Sequence, residues 1–274
     1  MSLPGVGKDG TFSELYFRVI RTMDHLGPRR TLVDPHAYRV MARTEEEHWW
    51  FGGRRAIVAN IIETMRLPKR AAILEIGAGT GGNLGMLAKY GEVQALEPDA
   101  FSRELATKKS GIQVVDGKLP DHIPFSSSRF DLICLLDVLE HVENDVASLR
   151  AINRFLLPGG KICITVPAHQ WLWSTHDEHL HHFRRYSKAQ LLGIVSEAGQ
   201  RVTKMSYFNT LLFPLAVAVR MGDRWVGKKP SGTGVPPSWA NVFLKHVLYA
   251  EAALLKRSTL PFGISLIAVI ESGH

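Results

Sequence analysis

Residues 74–83 read LEIGAGTGGN, and this stretch decides the fold. It continues an apolar run, AAILEI (71–76), and passes through glycines directly into a segment of helical character. Gly77, Gly79 and Gly81 let the backbone turn tightly and come close to a ligand, and the helix that follows offers unpaired N–H groups to an anionic group. Gly77, Gly79 and Gly82 satisfy G-x-G-x-x-G, and Glu97 lies 20 residues after Gly77, so the dinucleotide fingerprint is met in form. Two kinds of cofactor fit such a turn, and the glycines alone do not choose between them.

Outward from this turn the same alternation repeats. After AAILEI come EVQALE (92–97), IQVV (112–115), FDLICLL (130–136) and KICITVP (161–167), each separated from the next by an amphipathic or turn-rich stretch. Short apolar runs alternating with helical stretches predict βαβ units and a parallel sheet. A strand near 201–208 and a last one, ISLIAVIE (264–271), bring the number to seven, with helices on both faces. Ahead of the sheet, residues 11–66 read as helical, with Thr11 and Glu14 in capping-box spacing, Gly27-Pro28 as a break and Asp34-Pro35 as a new N-cap and first-turn pair. The chain thus divides into an N-terminal helical cap (1–70), a ligand-binding core (71–209 and 261–274) and a helical insertion (210–260) before the last strand. The insertion joins TLLFPLAVAVRM, a Gly/Pro-rich loop and ANVFLKHVLYAEAALLKR.

With 274 residues, 45% hydrophobic and 22% charged, the chain is long enough for a sizeable core and excludes fibrous or wholly disordered classes. A formal charge of +7 permits phosphates, acidic metabolites or anionic lipid as partners without choosing among them. Two cysteines inside apolar runs, Cys134 and Cys163, point to a reducing compartment. The N-terminus has no signal-peptide pattern, and the longest uncharged apolar stretch, Tyr207 to Val219, is too short to span a bilayer. The expected location is cytoplasmic, or peripheral to a membrane.

The segments around the glycines resemble the class I S-adenosylmethionine-dependent methyltransferases. EIGAGTG is similar to their motif I, ALEPD (95–99) to the acidic motif after the second strand, GKLPDHIPF (117–125) to the adenine-side loop, FDLICLLDVLEHV (130–142) to the fourth strand and its turn, and LLPGGKICITVP (156–167) to the fifth. The resemblance implies a Rossmann-like, mostly parallel α/β sheet of order 3-2-1-4-5-7-6. It also implies S-adenosylmethionine as cofactor, with S-adenosylhomocysteine as product. Glu97, with Pro98, is placed to accept the ribose hydroxyls, Gly117, Lys118 and Leu119 flank the adenine, and Asp137, Val138 and His141 border the methionine portion. Asn83, beside Gly77, Ala78 and Gly79, reaches toward the methionine carboxylate. EEEHWWFGGRR (45–55) resembles a segment ahead of motif I in one subgroup, where a helical arginine reaches that carboxylate; Arg54 matches it. Trp50 is expected at the cofactor and Trp49 at the substrate, although aromatic side chains near a helix start also pack on the core.

The acceptor is expected beyond the fifth strand, in AHQWLWSTHDEHLHHFRRYS (168–187). His176, His179, His181 and His182 offer imidazoles for a zinc set, but without H-E-x-x-H or a cysteine at ligand spacing no metal is expected. HFRRYS (182–187) resembles a segment of the same subgroup. Arg184 and Arg185 either bind an anionic substrate or pair with acids such as Asp177 and lock the loop. His182 is the first choice of general base and Tyr186 the second; the alternative for His182 is a hydrogen-bonded loop anchor. The resulting expectation is methyl transfer to a small-molecule acceptor by in-line displacement, with no nucleic-acid partner and either a peripheral membrane contact or a homodimer through the insertion. The alternatives are a lipid-linked or membrane-associated acceptor, an NAD-dependent oxidoreductase, or a non-catalytic binder of S-adenosylmethionine.

Overall fold

The structure, a computed structural model, describes residues 35–127, 129–226 and 235–273, with only the backbone described for 35–39, 219–220 and 222–226. Thr11, Glu14, Gly27-Pro28 and Asp34 therefore lie outside the described residues. Those described belong to one unit, Leu32–His274.

β1 (Ala71–Ile76), β2 (Gly91–Leu96), β3 (Val114–Val115), β4 (Phe130–Leu136), β5 (Leu156–Pro167), β6 (Gln200–Phe208) and β7 (Ser265–Ser272) form one sheet in the order β3-β2-β1-β4-β5-β7-β6. Only β7 runs antiparallel to its neighbours, as the expected fold class requires. The helices are α1 (Pro35–Thr44), α2 (Trp49–Thr64), α3 (Leu84–Leu87), α4 (Ala100–Ser110), α5 (Asp145–Asn153), α6 (Thr175–His179), α7 (Lys188–Glu197), α8 (Phe213–Val226) and α9 (Ser238–Arg257).

Central strands read as unbroken apolar runs because both of their faces are covered. Ile133, Leu135, Ile162 and Ile164 pack with Leu149 and Ile152 of α5 and with Leu191 and Val195 of α7. On the opposite face Leu132, Cys134, Cys163 and Ile267 pack with Ile57, Val58 and Ile61 of α2 and with Ala252 and Leu255 of α9. Both cysteines are buried free thiols.

Three features depart from the helix expectations. The N-terminal helix is interrupted at residues 45–48, where His48 is extended and its Nδ1 accepts from the Trp50 amide to cap α2. Glu45 turns inward there, its carboxylate held by Lys109 Nζ at 2.6 Å and its carbonyl by Arg55 Nη1 at 2.9 Å. The helix after the glycines is a single turn, α3, because the chain enters β2 at once: Gly91 lies so close to β1 that a Cβ there would stand 2.0 Å from the Ala71 carbonyl oxygen. The helix of the insertion, α9, is part of the layer that covers the sheet. It crosses α2 so tightly that a Cβ on Gly53 would stand 2.2 Å from Leu248 Cδ1. Asn241 then accepts from the Trp49 amide and donates to the Glu47 carbonyl, both at 2.8 Å.

Candidate active site

A cleft of about 1590 Å³ opens at the carboxyl ends of β1, β2 and β4, where doubly wound sheets hold their ligands. Every residue expected at the cofactor lines it: Trp50, Arg54, Gly77, Ala78, Gly79, Asn83, Glu97, Pro98, Gly117, Lys118, Leu119, Asp137, Val138 and His141. The turn is set by backbone. Gly77 has φ +74°, and a Cβ there would stand 2.6 Å from Val138 Cγ2. The amides of Gly77 and Ala78 both donate to the Leu96 carbonyl at 2.9 Å, tying the end of β1 to β2.

Glu97 is only 2% exposed, and two backbone amides fix its carboxylate: Gly79 N donates to Oε2 at 2.7 Å and Asp99 N to Oε1 at 2.9 Å. Ionised oxygens fixed in this way still accept from hydroxyl groups. Beyond Glu97 the 117–122 loop closes on itself through paired backbone bonds between Lys118 and His122 at 2.8 and 3.0 Å. A Cβ on Gly117 would meet the His122 carbonyl at 3.0 Å.

A second group of polar side chains lies across the cleft. Arg54 donates to Asp137, whose other carboxylate oxygen accepts from Thr165 Oγ1 at 3.0 Å. The Arg54 guanidinium sits 5.0 Å from the Trp50 ring centroid and reaches Asn83 Oδ1 at 3.4 Å, leaving its buried Nε without a partner. Asn83 donates onward to Glu75 Oε1 at 2.8 Å. Burial pushes the Glu75 carboxyl up to about 7, against the pull of Asn83 and Arg54.

The post-β5 loop builds the other wall. Asp177 is fully buried and accepts from Arg185 Nε at 2.8 Å, from Arg185 Nη2 at 3.0 Å and from the Ser174 amide at 2.9 Å. Burial raises its pKa, but the bonds from His182 and Arg185 outweigh that and hold it below the usual carboxylate range. His182 places Nδ1 2.9 Å from Asp177 Oδ1 and stacks edge-on to His141 at 4.6 Å. Burial first, and facing His182 second, push His141 down to about 3. Glu140, also buried, is pushed well above the usual carboxylate range by burial and then by Asp137.

Trp49, His182 and Arg185 line the cleft; Arg184 and Tyr186 do not. Arg184 donates to Asp145 Oδ2 at 3.0 Å and to the Glu143 carbonyl at 2.7 Å. The Tyr186 hydroxyl is buried against the Leu139 carbonyl at 3.1 Å and Asp145 Oδ2 at 3.3 Å. Burial, then Asp145, raise the pKa of that phenol, so it is ill suited to take a proton. Arg185 pairs with Asp177, the contact that one of its two sequence-derived roles calls for. Glu140 and the inward Glu45 carry no sequence signal for the site, and Asp177 enters from sequence only as a partner for the arginines. Asp177 stands three residues after Ser174 in a capping box, a signal readable in sequence. Glu140 has no such pattern, only its place beside His141 after a strand end.

The buried, amide-fixed acid at the end of β2, the glycine turn that leaves no room for a Cβ and the buried orphan donor Arg54 Nε fit a ligand with a ribose and an anionic end. A family model described as a methyltransferase domain matches residues 46–205. Among curated proteins, a Caenorhabditis elegans sterol 4-C-methyltransferase is 24% identical over 55% of this chain and 50% of its own length. An uncharacterised methyltransferase of Schizosaccharomyces pombe is 31% identical over 35% of this chain and 39% of its own. The chain thus spans half or less of these relatives. A Haemonchus contortus phosphoethanolamine N-methyltransferase, solved with S-adenosylmethionine, superposes with a TM-score of 0.53 over 78% of this chain and 51% of its own, at 15% identity. Fold, cleft and family model agree: the chain belongs to the methyltransferase-domain family, with the class I fold and S-adenosylmethionine as its cofactor.

Proposed function

We propose that the chain methylates a small-molecule acceptor seated in the cleft between Trp49, His182 and α8. The observation that carries this is the continuity of one cleft from Gly77 and Glu97 to His182 and the α8 residues Leu215 and Ala216. S-adenosylmethionine, when bound, supplies an electrophilic methyl carbon for in-line displacement. The protein's work is then alignment, holding the acceptor about 3 Å from that carbon and excluding water. Glu97 accepts the ribose hydroxyls, with Pro98 beside it, and Gly117, Lys118 and Leu119 enclose the adenine. Arg54, Asn83 and Trp50 serve the methionine end, with Asp137, Val138 and His141 along its side. His182 meets the acceptor: Asp177 accepts a hydrogen bond from its Nδ1–H, which fixes the tautomer and leaves the Nε2 lone pair for the acceptor.

A second reading, a lipid-like acceptor or a membrane-bound one, rests on the insertion. Leu212, Leu215, Ala216 and Leu244 give the cleft an apolar wall, and next to it Leu215 is 58%, Phe243 62% and Trp239 76% exposed. The sterol specificity in the name of one relative suits an apolar acceptor. Among the described residues no helix is long and apolar enough to cross a membrane, so contact with a bilayer would be peripheral. The same exposed side chains also suit a homodimer contact.

Calorimetry with S-adenosylmethionine, S-adenosylhomocysteine and NAD tests the cofactor, and an acceptor panel coupled to S-adenosylhomocysteine release tests the reaction. Binding of the first two, with turnover of at least one small acceptor, is expected. Binding of NAD alone would overturn the reading. Salt-sensitive sedimentation with anionic vesicles would favour the second reading over the first.

A further inference from the structure

Three ligand-type side chains meet on the acceptor side: Glu140, His141 and His182, whose ligating atoms lie within 4.8 Å of one another. Glu140 is 1% exposed, and neither its Oε2 nor the buried Nδ1 of His141 has a hydrogen-bond partner. Buried polar atoms are almost always paired, so two orphans side by side call for a ligand. Each imidazole is also held so that one nitrogen is available. The Leu180 backbone engages the His141 imidazole, and Nδ1, without a partner, is the nitrogen left available. His182 Nδ1 bonds Asp177 Oδ1, and Asp177 is clamped by Arg185. A carboxylate behind an imidazole is the usual support of a metal-ligating histidine, because it fixes the tautomer and the ring orientation. His176, His179 and His181 stand outside this trio.

We infer that Glu140, His141 and His182 bind one divalent transition-metal cation of the zinc type through one carboxylate oxygen and two imidazole nitrogens. Two histidines and one carboxylate leave coordination positions open. The trio lines the cleft, so an acceptor can occupy such a position through an oxygen; His182 then gives the cation the Nε2 lone pair otherwise open to the acceptor, and the cation meets the acceptor in place of the imidazole. The use of the site by an acceptor rests on the placement of that acceptor beside His182, whereas occupancy by the cation does not.

The test is titration of the metal-stripped full chain with Co²⁺, read by visible absorption, followed by displacement with Zn²⁺ and calorimetry with Zn²⁺ alone. One equivalent is expected. Loss of an outer-shell partner typically lowers metal affinity about 10–100-fold, and loss of a direct ligand should reach at least the upper end of that range. Glu140→Gln and His182→Gln should therefore each lower affinity by about 100-fold or more. S-adenosylmethionine calorimetry on the same variants reports whether the fold persists. Should one variant fail to fold, the other and the wild-type titration decide. No stoichiometric uptake by the wild-type chain, or uptake by folded variants as tight as wild type, would overturn the inference. Cofactor binding without metal uptake sinks the metal site and leaves the methyltransferase reading; metal uptake without cofactor binding does the reverse.

Discussion

The two halves of the cleft, the one proposed for the cofactor and the one proposed for the acceptor, are built in opposite ways. The cofactor half is made of backbone at strand ends: Gly77 and Gly79 at positive φ, amides that bind the Leu96 carbonyl, and a Glu97 carboxylate fixed by two amides. The acceptor half is made of side chains brought together from distant segments and locked by buried charge: Asp177 between Arg185 and His182, and His141 against His182. A backbone site tolerates many side-chain changes yet fails when a Cβ is added. A site of interlocked side chains fails when one partner is taken away.

The largest effect expected from this contrast is at Gly77. Gly77→Val forces a branched residue into positive φ and into Val138, whose Cγ2 already stands 2.6 Å from the position of a Cβ. Calorimetry should find S-adenosylmethionine affinity reduced by about 1000-fold or more, equivalent to about 4 kcal/mol, with circular dichroism still native. Wild-type affinity would break the backbone account of the cofactor half. In the acceptor half, Arg185→Ala leaves the buried Asp177 charge unpaired, and breaking a buried pair costs about 3–5 kcal/mol. Chemical denaturation should record that loss. A change under about 1 kcal/mol, the range of exposed ion pairs, would mean that water reaches the pair and the loop is not locked.

This contrast also explains what could be read from sequence. The seven apolar runs fall on the seven strands within a few residues, because strands covered on both faces need continuous apolar sequence. Most residues expected at the cofactor follow a strand end within a few positions, where sequence marks them by the same runs, whereas Trp50 and Arg54 lie on α2 and rest on the segment 45–55 alone. The Asp177–Arg185–His182 cluster was only half legible, since a buried ion pair and a solvated loop have the same composition. Tyr186 looked reactive beside His182, yet the bridge between Ala168 and Tyr186 turns it into the core. The break at residues 45–48 depends on Lys109 reaching Glu45 across 64 residues, which no local pattern encodes. The tight crossing of α2 and α9 depends on Gly53 meeting Leu248, a contact between residues far apart in sequence that no local pattern encodes.

Glu75 sharpens the comparison because it joins the cofactor half from within the core. Its carboxyl ordinarily titrates at 4.5 and is pushed up to about 7 by burial. Between those values the folded chain keeps a proton that the unfolded chain has lost. The stabilisation is therefore complete below about pH 4.5 and fades as pH rises to 7, by about 3 kcal/mol in all. Glu75→Gln, which cannot ionise, should flatten the curve, so that denaturation at pH 5 and pH 8 differs less in the variant than in wild type. Equal slopes would show that the carboxylate is compensated in the fold, with Arg54 the nearest source of compensation.

The smallest effect expected is the most discriminating. Glu97→Ala removes the carboxylate proposed to accept the ribose hydroxyls and leaves the amides of Gly79 and Asp99 without that partner at the end of β2. Charge-assisted hydrogen bonds contribute about 1.5–3 kcal/mol, so cofactor affinity should fall by about 10-fold or more. Glu97→Gln separates two causes, because it keeps the shape and one acceptor oxygen while losing the charge and presenting an NH₂ group to one of the two amides. If backbone geometry governs the cofactor half, Gln should recover part of the affinity lost in Ala, as position is partly kept. If charge governs, the two variants should bind equally poorly. Calorimetry on both, with denaturation midpoints to separate loss of binding from loss of fold, decides between these outcomes. Wild-type affinity in both variants would remove Glu97 from the site.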